Sequence, residues 1–78
     1  MRLLFFAQCA EWMKRRQDEL PLDRAMTLEA ALSTRADLSS LLERRSYLKV
    51  AVNQAFADYQ TEVRDGDEIA FFPPFSGG

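Results

Sequence analysis

Hydrophobic positions along the chain change rhythm several times, and each change marks an element. Leu3-Leu4-Phe5-Phe6 is an unbroken apolar run with aromatics, the pattern of a central strand. Cys9, Trp12 and Met13 then recur at i, i+3 and i+4, one apolar stripe on a short first helix. That stripe fades into Lys14-Arg15-Arg16, whose charges suit the negative end of a helix dipole. Leu20 and Leu22 alternate with polar neighbours, but Pro21 lacks a donor, so the segment is an edge strand at best. Thr27 is the expected N-cap of a helix with Leu28, Ala31 and Leu32 on one face. Asp37 or Ser39 is expected to restart a short turn carrying Leu38, Leu41 and Leu42. From Leu48 to Val52 apolar residues alternate with Lys49 and Ala51, as in a half-buried strand. Asn53-Gln54 and Arg64-Asp65-Gly66-Asp67 read as turns, the second because Asp-Gly supplies positive φ. Ile69 to Phe72 forms the last strand, which Pro73-Pro74 ends by withholding ladder donors.

The resulting order, β-α-β-α-β-(β)-β, predicts an α+β domain with a mixed sheet packed on helices. Its two most apolar strands lie at opposite ends of the chain, so they are expected to meet at the sheet's centre. The long crossover between them permits parallel pairing. Strand parity then sorts the side chains. If Leu3, Phe5, Ile69 and Phe71 face the helices, Leu4, Phe6, Ala70 and Phe72 face outward. Phe6 and Phe72, joined by the loop residue Phe56, would then form an exposed aromatic patch, more than a small monomer normally shows to water. Such a patch reads as a partner-binding surface.

Composition narrows the function classes. With 78 residues there is one thin core, residues 1–74, of a size where burial supplies only about 3–5 kcal/mol net. One cysteine and no histidine exclude an internal disulfide and disfavour a metal site. A lone thiol suits a reducing, cytoplasmic setting. A net charge of −2, with no basic patch interleaved with aromatics, gives no sign of nucleic-acid binding. The start superficially resembles a secretory leader, but its apolar core falls short of the roughly 7–15 residues required. No stretch is long enough to span a bilayer. No nucleophile–base pair, metal cluster or phosphate-binding loop suggests an enzyme acting alone.

After the prolines the sequence ends Phe75-Ser76-Gly77-Gly78. This flexible tail, residues 75–78, is expected to reach roughly 13 Å beyond the body at about 3.3 Å per residue. Glycine has no Cβ, so its last two residues suit a slot that other side chains would block. A terminal Gly-Gly pair is roughly a one-in-200 accident by composition. Attached to Asp65-Gly66-Asp67-Glu68-Ile69-Ala70-Phe71-Phe72-Pro73-Pro74, it resembles the C-terminal motif of the small, sulfur-carrying subunit of molybdopterin synthase. Leu3-Leu4-Phe5-Phe6-Ala7-Gln8 and Val50-Ala51-Val52-Asn53-Gln54 resemble the same family, in its order. The resemblance is weak between Met13 and Arg45. Ala10 stands where many relatives are basic, and the glycine that usually closes the first helix is missing from Met13-Lys14-Arg15-Arg16-Gln17.

The resemblance implies a β-grasp, or ubiquitin-like, fold with a C-terminal Gly-Gly tail. It also implies that a ubiquitin-activating-like adenylating enzyme uses ATP on the Gly78 carboxylate, an anion and poor electrophile at neutral pH. A sulfur donor protein then replaces AMP to give a thiocarboxylate, which attacks a pterin precursor on the large synthase subunit. This chain itself would bind no cofactor. Gly77, Ser76 and Phe75 would thread the tail, while Phe6, Phe56 and Phe72 dock partners. Related carriers serving thiazole, tRNA or amino-acid synthesis share these features, as do ubiquitin-like modifiers. A regulatory module with an inert tail is a third class.

The remaining reactive residues have plainer readings. Cys9, on the apolar helix face, is expected to pack rather than to carry a persulfide, and Trp12 and Met13 are expected in the core. Lys14-Arg15-Arg16 reads as a solvated face that also suits steering of an acidic partner. Asp65, Asp67 and Glu68 are expected to solvate a tight turn rather than hold a cation, and Lys49 to lie exposed.

Overall fold

In the computed structural model, which describes residues 1–74, the first apolar run forms β1 (Arg2–Phe5). The chain then enters α1 (Gln8–Met13) and returns along β1 as β2 (Gln17–Glu19). A two-residue strand, β3 (Met26–Thr27), leads into α2 (Leu28–Leu32), α3 (Ala36–Ser39) and a 3-10 turn over Ser40–Arg44. β4 (Lys49–Val52), β5 (Ala55–Ala57), β6 (Glu62–Val63) and β7 (Glu68–Phe72) follow. The main sheet runs β2-β1-β7-β4-β5, and β3 pairs with β6 in a separate two-stranded ribbon.

The terminal strands meet at the centre, as their apolar runs demand. β1 and β7 are parallel, with Leu3 opposite Ile69 and Phe5 opposite Phe71. β4 joins the other side of β7 antiparallel, placing Lys49 opposite Phe72. Leu3, Phe5, Ile69 and Phe71 are buried against Leu28, Leu32, Leu38 and Leu41, so the parity expectation holds. The Phe5 and Phe71 rings stack at 5.6 Å. A mixed sheet of this order, gripping its helices on one face, is the β-grasp fold.

Local chemistry explains the boundaries. The Thr27 hydroxyl caps α2 by accepting from the Ala30 N–H at 3.1 Å. Asn53 and Gln54 both have positive φ, 51° and 70°, which makes a two-residue hairpin between β4 and β5. Gly66, at φ 92°, turns the chain before β7. Lys14, at φ 60°, occupies the left-handed closing position of α1 that glycine usually holds.

Several expectations need correction. The polar segment Gln17–Glu19, just ahead of Leu20, forms the edge strand; Leu20 adds one bond, its N–H donating to the Met1 carbonyl at 2.8 Å. The restart of helix falls at Ala36, with Arg35 at the N-cap position and no side-chain capping bond, while Ser39 holds the N-cap position of the 3-10 turn that carries Leu41 and Leu42. Trp12 is only half-buried, its ring edge-on to Tyr47 at 6.4 Å and covered by the Arg44 guanidinium at 4.5 Å.

Arg15 is no free surface cation. It bonds Asp18 at 3.0 Å and Asp37 at 2.7 Å, while Arg35 reaches the same two carboxylates at 2.8 Å each. This network ties α1, β2 and α3 together. The Arg35 and Arg15 hydrogen bonds outweigh partial burial and hold the Asp37 carboxyl down at about 2.

Candidate functional site

The candidate site is built where β1 and β7 end side by side. The Phe6 N–H donates to the Phe71 carbonyl at 3.0 Å, extending the parallel pairing one residue past β1. Alternation therefore turns the Phe6 ring to the outer face, where it is 49% exposed. Ala7, at φ 51° and ψ −131°, reverses the chain into α1, and the Cys9 N–H closes the turn on the Phe6 carbonyl at 3.0 Å.

Phe72 lies on the same outer face at the end of β7, half-buried. Phe56 is not a loop residue: it sits in edge strand β5 opposite Ala51 and is 82% exposed. The Asn53-Gln54 hairpin is the signal that places it there, since a two-residue turn must be followed by a strand. The Phe56 and Phe72 rings meet edge-on at 5.7 Å. Together with Phe6, Ala7, Gln8, Pro73 and Pro74 they line a cleft of about 720 Å³. A neighbouring cleft of about 570 Å³ shares Phe56, Phe72, Pro73 and Pro74 and is bordered by Lys49. Pro73 is buried while Pro74 is exposed, so the described residues end within this aromatic surface. Phe75, Ser76, Gly77 and Gly78, to which the sequence assigns the tail chemistry, lie outside the described residues.

The other chemical candidates are occupied structurally. Cys9 is fully buried, and burial pushes its thiol up to about 11 despite nearby Arg44, so it stays protonated at neutral pH. Asp65 accepts from the Leu22 N–H at 3.1 Å and lies 3.6 Å from the Met1 amino group. Asp67 accepts from the Asn53 amide at 3.0 Å and the Arg64 N–H at 2.9 Å. These bonds lower both carboxyls and lock the turn before β7, a firmer role than the solvation expected of them. Glu68 lies 3.6 Å from Arg2. Among the described residues no cluster of acidic or cysteine side chains is arranged to hold a metal ion, and no helix is long and apolar enough to cross a membrane.

This arrangement suits docking: an aromatic surface at the point where the described residues end. Known proteins point the same way. The sequence profile described as the ThiS family matches residues 3–78. A protein of Haemophilus influenzae named molybdopterin synthase sulfur carrier subunit is 40% identical over 81 residues, covering 100% of this chain and 99% of its own. The Escherichia coli protein of the same name is 34% identical over 80 residues, with 100% and 99% covered. The crystal structure of SAMP1 from Haloferax volcanii superimposes with a TM-score of 0.80 at 30% identity, covering 100% of this chain and 98% of that one.

Proposed function

The chain belongs to the ThiS family, and from that premise we propose that it works as the sulfur-carrying small subunit of molybdopterin synthase. A carrier supplies reach and a reactive end, while its partners supply catalytic side chains. The observation that carries the reading is where the body ends. Central strand β7 delivers Pro73 and Pro74 into an exposed aromatic face, and the four residues Phe75 to Gly78 follow Pro74 in the sequence.

The Gly78 carboxylate attacks the α-phosphate of ATP on a partner adenylating enzyme, giving an acyl-adenylate and releasing pyrophosphate. Sulfide-level sulfur from a donor protein then attacks the acyl carbon and displaces AMP, leaving a C-terminal thiocarboxylate. That group is ionised at neutral pH with much of its charge on sulfur, a soft nucleophile. Its sulfur bonds to an electrophilic carbon of the pterin precursor on the large synthase subunit, and water then cleaves the resulting C(=O)–S bond, leaving the sulfur on the precursor and restoring the Gly78 carboxylate. Gly77, Ser76 and Phe75 thread the end into that site, and Phe6, Phe56 and Phe72 dock the body beside it. The chemistry needs no cofactor resident on this chain. Its one thiol is buried and protonated, which suits a reducing cytoplasm.

A second reading, a protein modifier, draws support from the similarity to SAMP1, which a second crystal structure names small archaeal modifier protein 1. In that case the activated Gly78 ends on lysine amines. Incubation with ATP, the adenylating enzyme, the sulfur donor and the large subunit separates the two. A carrier yields a thiocarboxylate that is consumed when precursor is added. A modifier yields isopeptide-linked conjugates and leaves the precursor untouched. A chain that never gains AMP refutes both.

A further inference from the structure

The cations of this chain are distributed unevenly. Arg2, Arg15, Arg24, Arg35, Arg45 and Arg64 each have a carboxylate partner within 4 Å. Among the described residues, Lys14, Arg16, Arg44 and Lys49 have none; Arg44 is half-buried over the Trp12 ring, while Lys14, Arg16 and Lys49 are exposed. They cluster at one end of the sheet. Lys49 is opposite Phe72 in register and borders the cleft that contains Phe56, Phe72 and Pro74. Lys14 and Arg16 line a third cleft, on the other side of Phe6, with Ala7 and Ala10. Among the described residues, Glu11 is the single carboxylate lining the clefts at this end. The opposite end of the sheet reverses the balance, with Glu19, Asp65 and Glu68 around Arg2. A chain of net charge −2 thus presents unpaired positive charge on both flanks of its aromatic surface.

We infer that this surface is a cation-rimmed dock whose partner, the large synthase subunit, meets it with an apolar recess bordered by carboxylates on two sides. The inference rests on the functional reading above and adds the partner's chemistry to it. Buried aromatics supply affinity at the centre of an interface, while rim charges set encounter rate and orientation. Lys49 and the Lys14/Arg16 pair lie on opposite sides of Phe6 and Phe72, so together they fix the rotation of the body about the end of β7. A single charge on one flank leaves that rotation free.

The test is stopped-flow association of the full chain with its cognate large subunit across ionic strength. Lys49→Glu and the double change Lys14→Glu/Arg16→Glu are compared with Arg24→Glu, which alters net charge as Lys49→Glu does but lies beyond β2, toward the far end. At low salt each rim reversal should slow association about tenfold or more, within the range of electrostatic steering. The difference should vanish near 1 M salt, where screening acts within about 3 Å. Arg24→Glu should leave the rate unchanged. Rim variants that associate at the wild-type rate with the wild-type salt slope overturn the inference while leaving the sulfur-carrier reading intact. So do variants slowed only toward the adenylating enzyme. A wild-type chain that does not bind the large subunit overturns the functional reading and this inference together.

Discussion

Adjacent residues Phe71 and Phe72 provide a controlled comparison, because one strand presents them to opposite faces. Phe71 is fully buried and stacked on Phe5, with Leu3 and Ile69 also in the core. Truncation to alanine removes most of a ring from a packed interior, which costs about 3–5 kcal/mol in transfer and cavity energy. The core of a domain this size supplies only about 3–5 kcal/mol net, so Phe71→Ala should be largely unfolded in buffer. Phe72 is half-buried and meets the Phe56 ring at 5.7 Å. Losing that aromatic pair costs about 0.5–1.5 kcal/mol beyond the area exposed. With a urea slope of about 1 kcal/mol per molar, Phe72→Ala should lower the midpoint by roughly 1–2 M and remain folded. Its larger effect should be on docking. A central aromatic anchor carries about 2 kcal/mol or more, which weakens affinity for the large subunit about thirtyfold. Urea unfolding and titration calorimetry on both variants check this. A Phe72→Ala chain that unfolds as readily as Phe71→Ala, yet binds normally under stabilising conditions, would show that the outer face is not the docking face.

Three further outcomes follow from the same structure. Gln54→Gly should raise stability by about 0.5–1 kcal/mol, seen as a higher Tm, because Gln54 holds a left-handed φ of 70° that glycine adopts freely. Asp37, held down at about 2 by Arg35 and Arg15, is lowered from an unfolded value near 3.9. A depressed carboxyl contributes stability above its unfolded pKa and loses it as pH falls. Acid titration of the fold should therefore show loss between about pH 4 and pH 2 that Asp37→Asn lacks; because Asp37 is nearly half exposed, the effect is a screened fraction of the full shift. Cys9→Ala should cost about 1 kcal/mol of stability and leave sulfur acceptance intact, and the native thiol should resist alkylation at pH 8; a variant that gains AMP but never sulfur would show that the thiol takes part.

The elements legible in the sequence were those whose apolar pattern is strong or whose turn chemistry is specific. Leu3–Phe6 and Ile69–Phe72 announced the central strands, and alternation placed Phe6 and Phe72 on the outer face. Thr27, Asn53-Gln54 and Asp65-Gly66 marked the cap and turns they form. What stayed hidden was decided by tertiary context. Gln17-Asp18-Glu19 has no apolar residue to betray a strand, and pairs because Leu4, Leu3 and Arg2 stand opposite it. β3 and β6 are two residues each, too short for any period. Arg15 looked like its neighbours Lys14 and Arg16, yet only Arg15 has Asp18 and Asp37 within reach, a separation no local pattern reveals. The same distinction, applied to Lys14, Arg16 and Lys49, exposes the cationic rim.

The central claim is that sulfur travels on Gly78. The most direct measurement is intact-mass spectrometry of the wild-type chain and of a chain lacking Gly78, each incubated with ATP, the adenylating enzyme and the sulfur donor, then passed to the large subunit with precursor. Both chains should unfold at the same urea midpoint, since β7 ends at Phe72. Only the wild type should gain AMP, exchange it for sulfur and lose that sulfur to precursor. Sulfur delivery by the chain without Gly78, at the wild-type rate, would contradict the account.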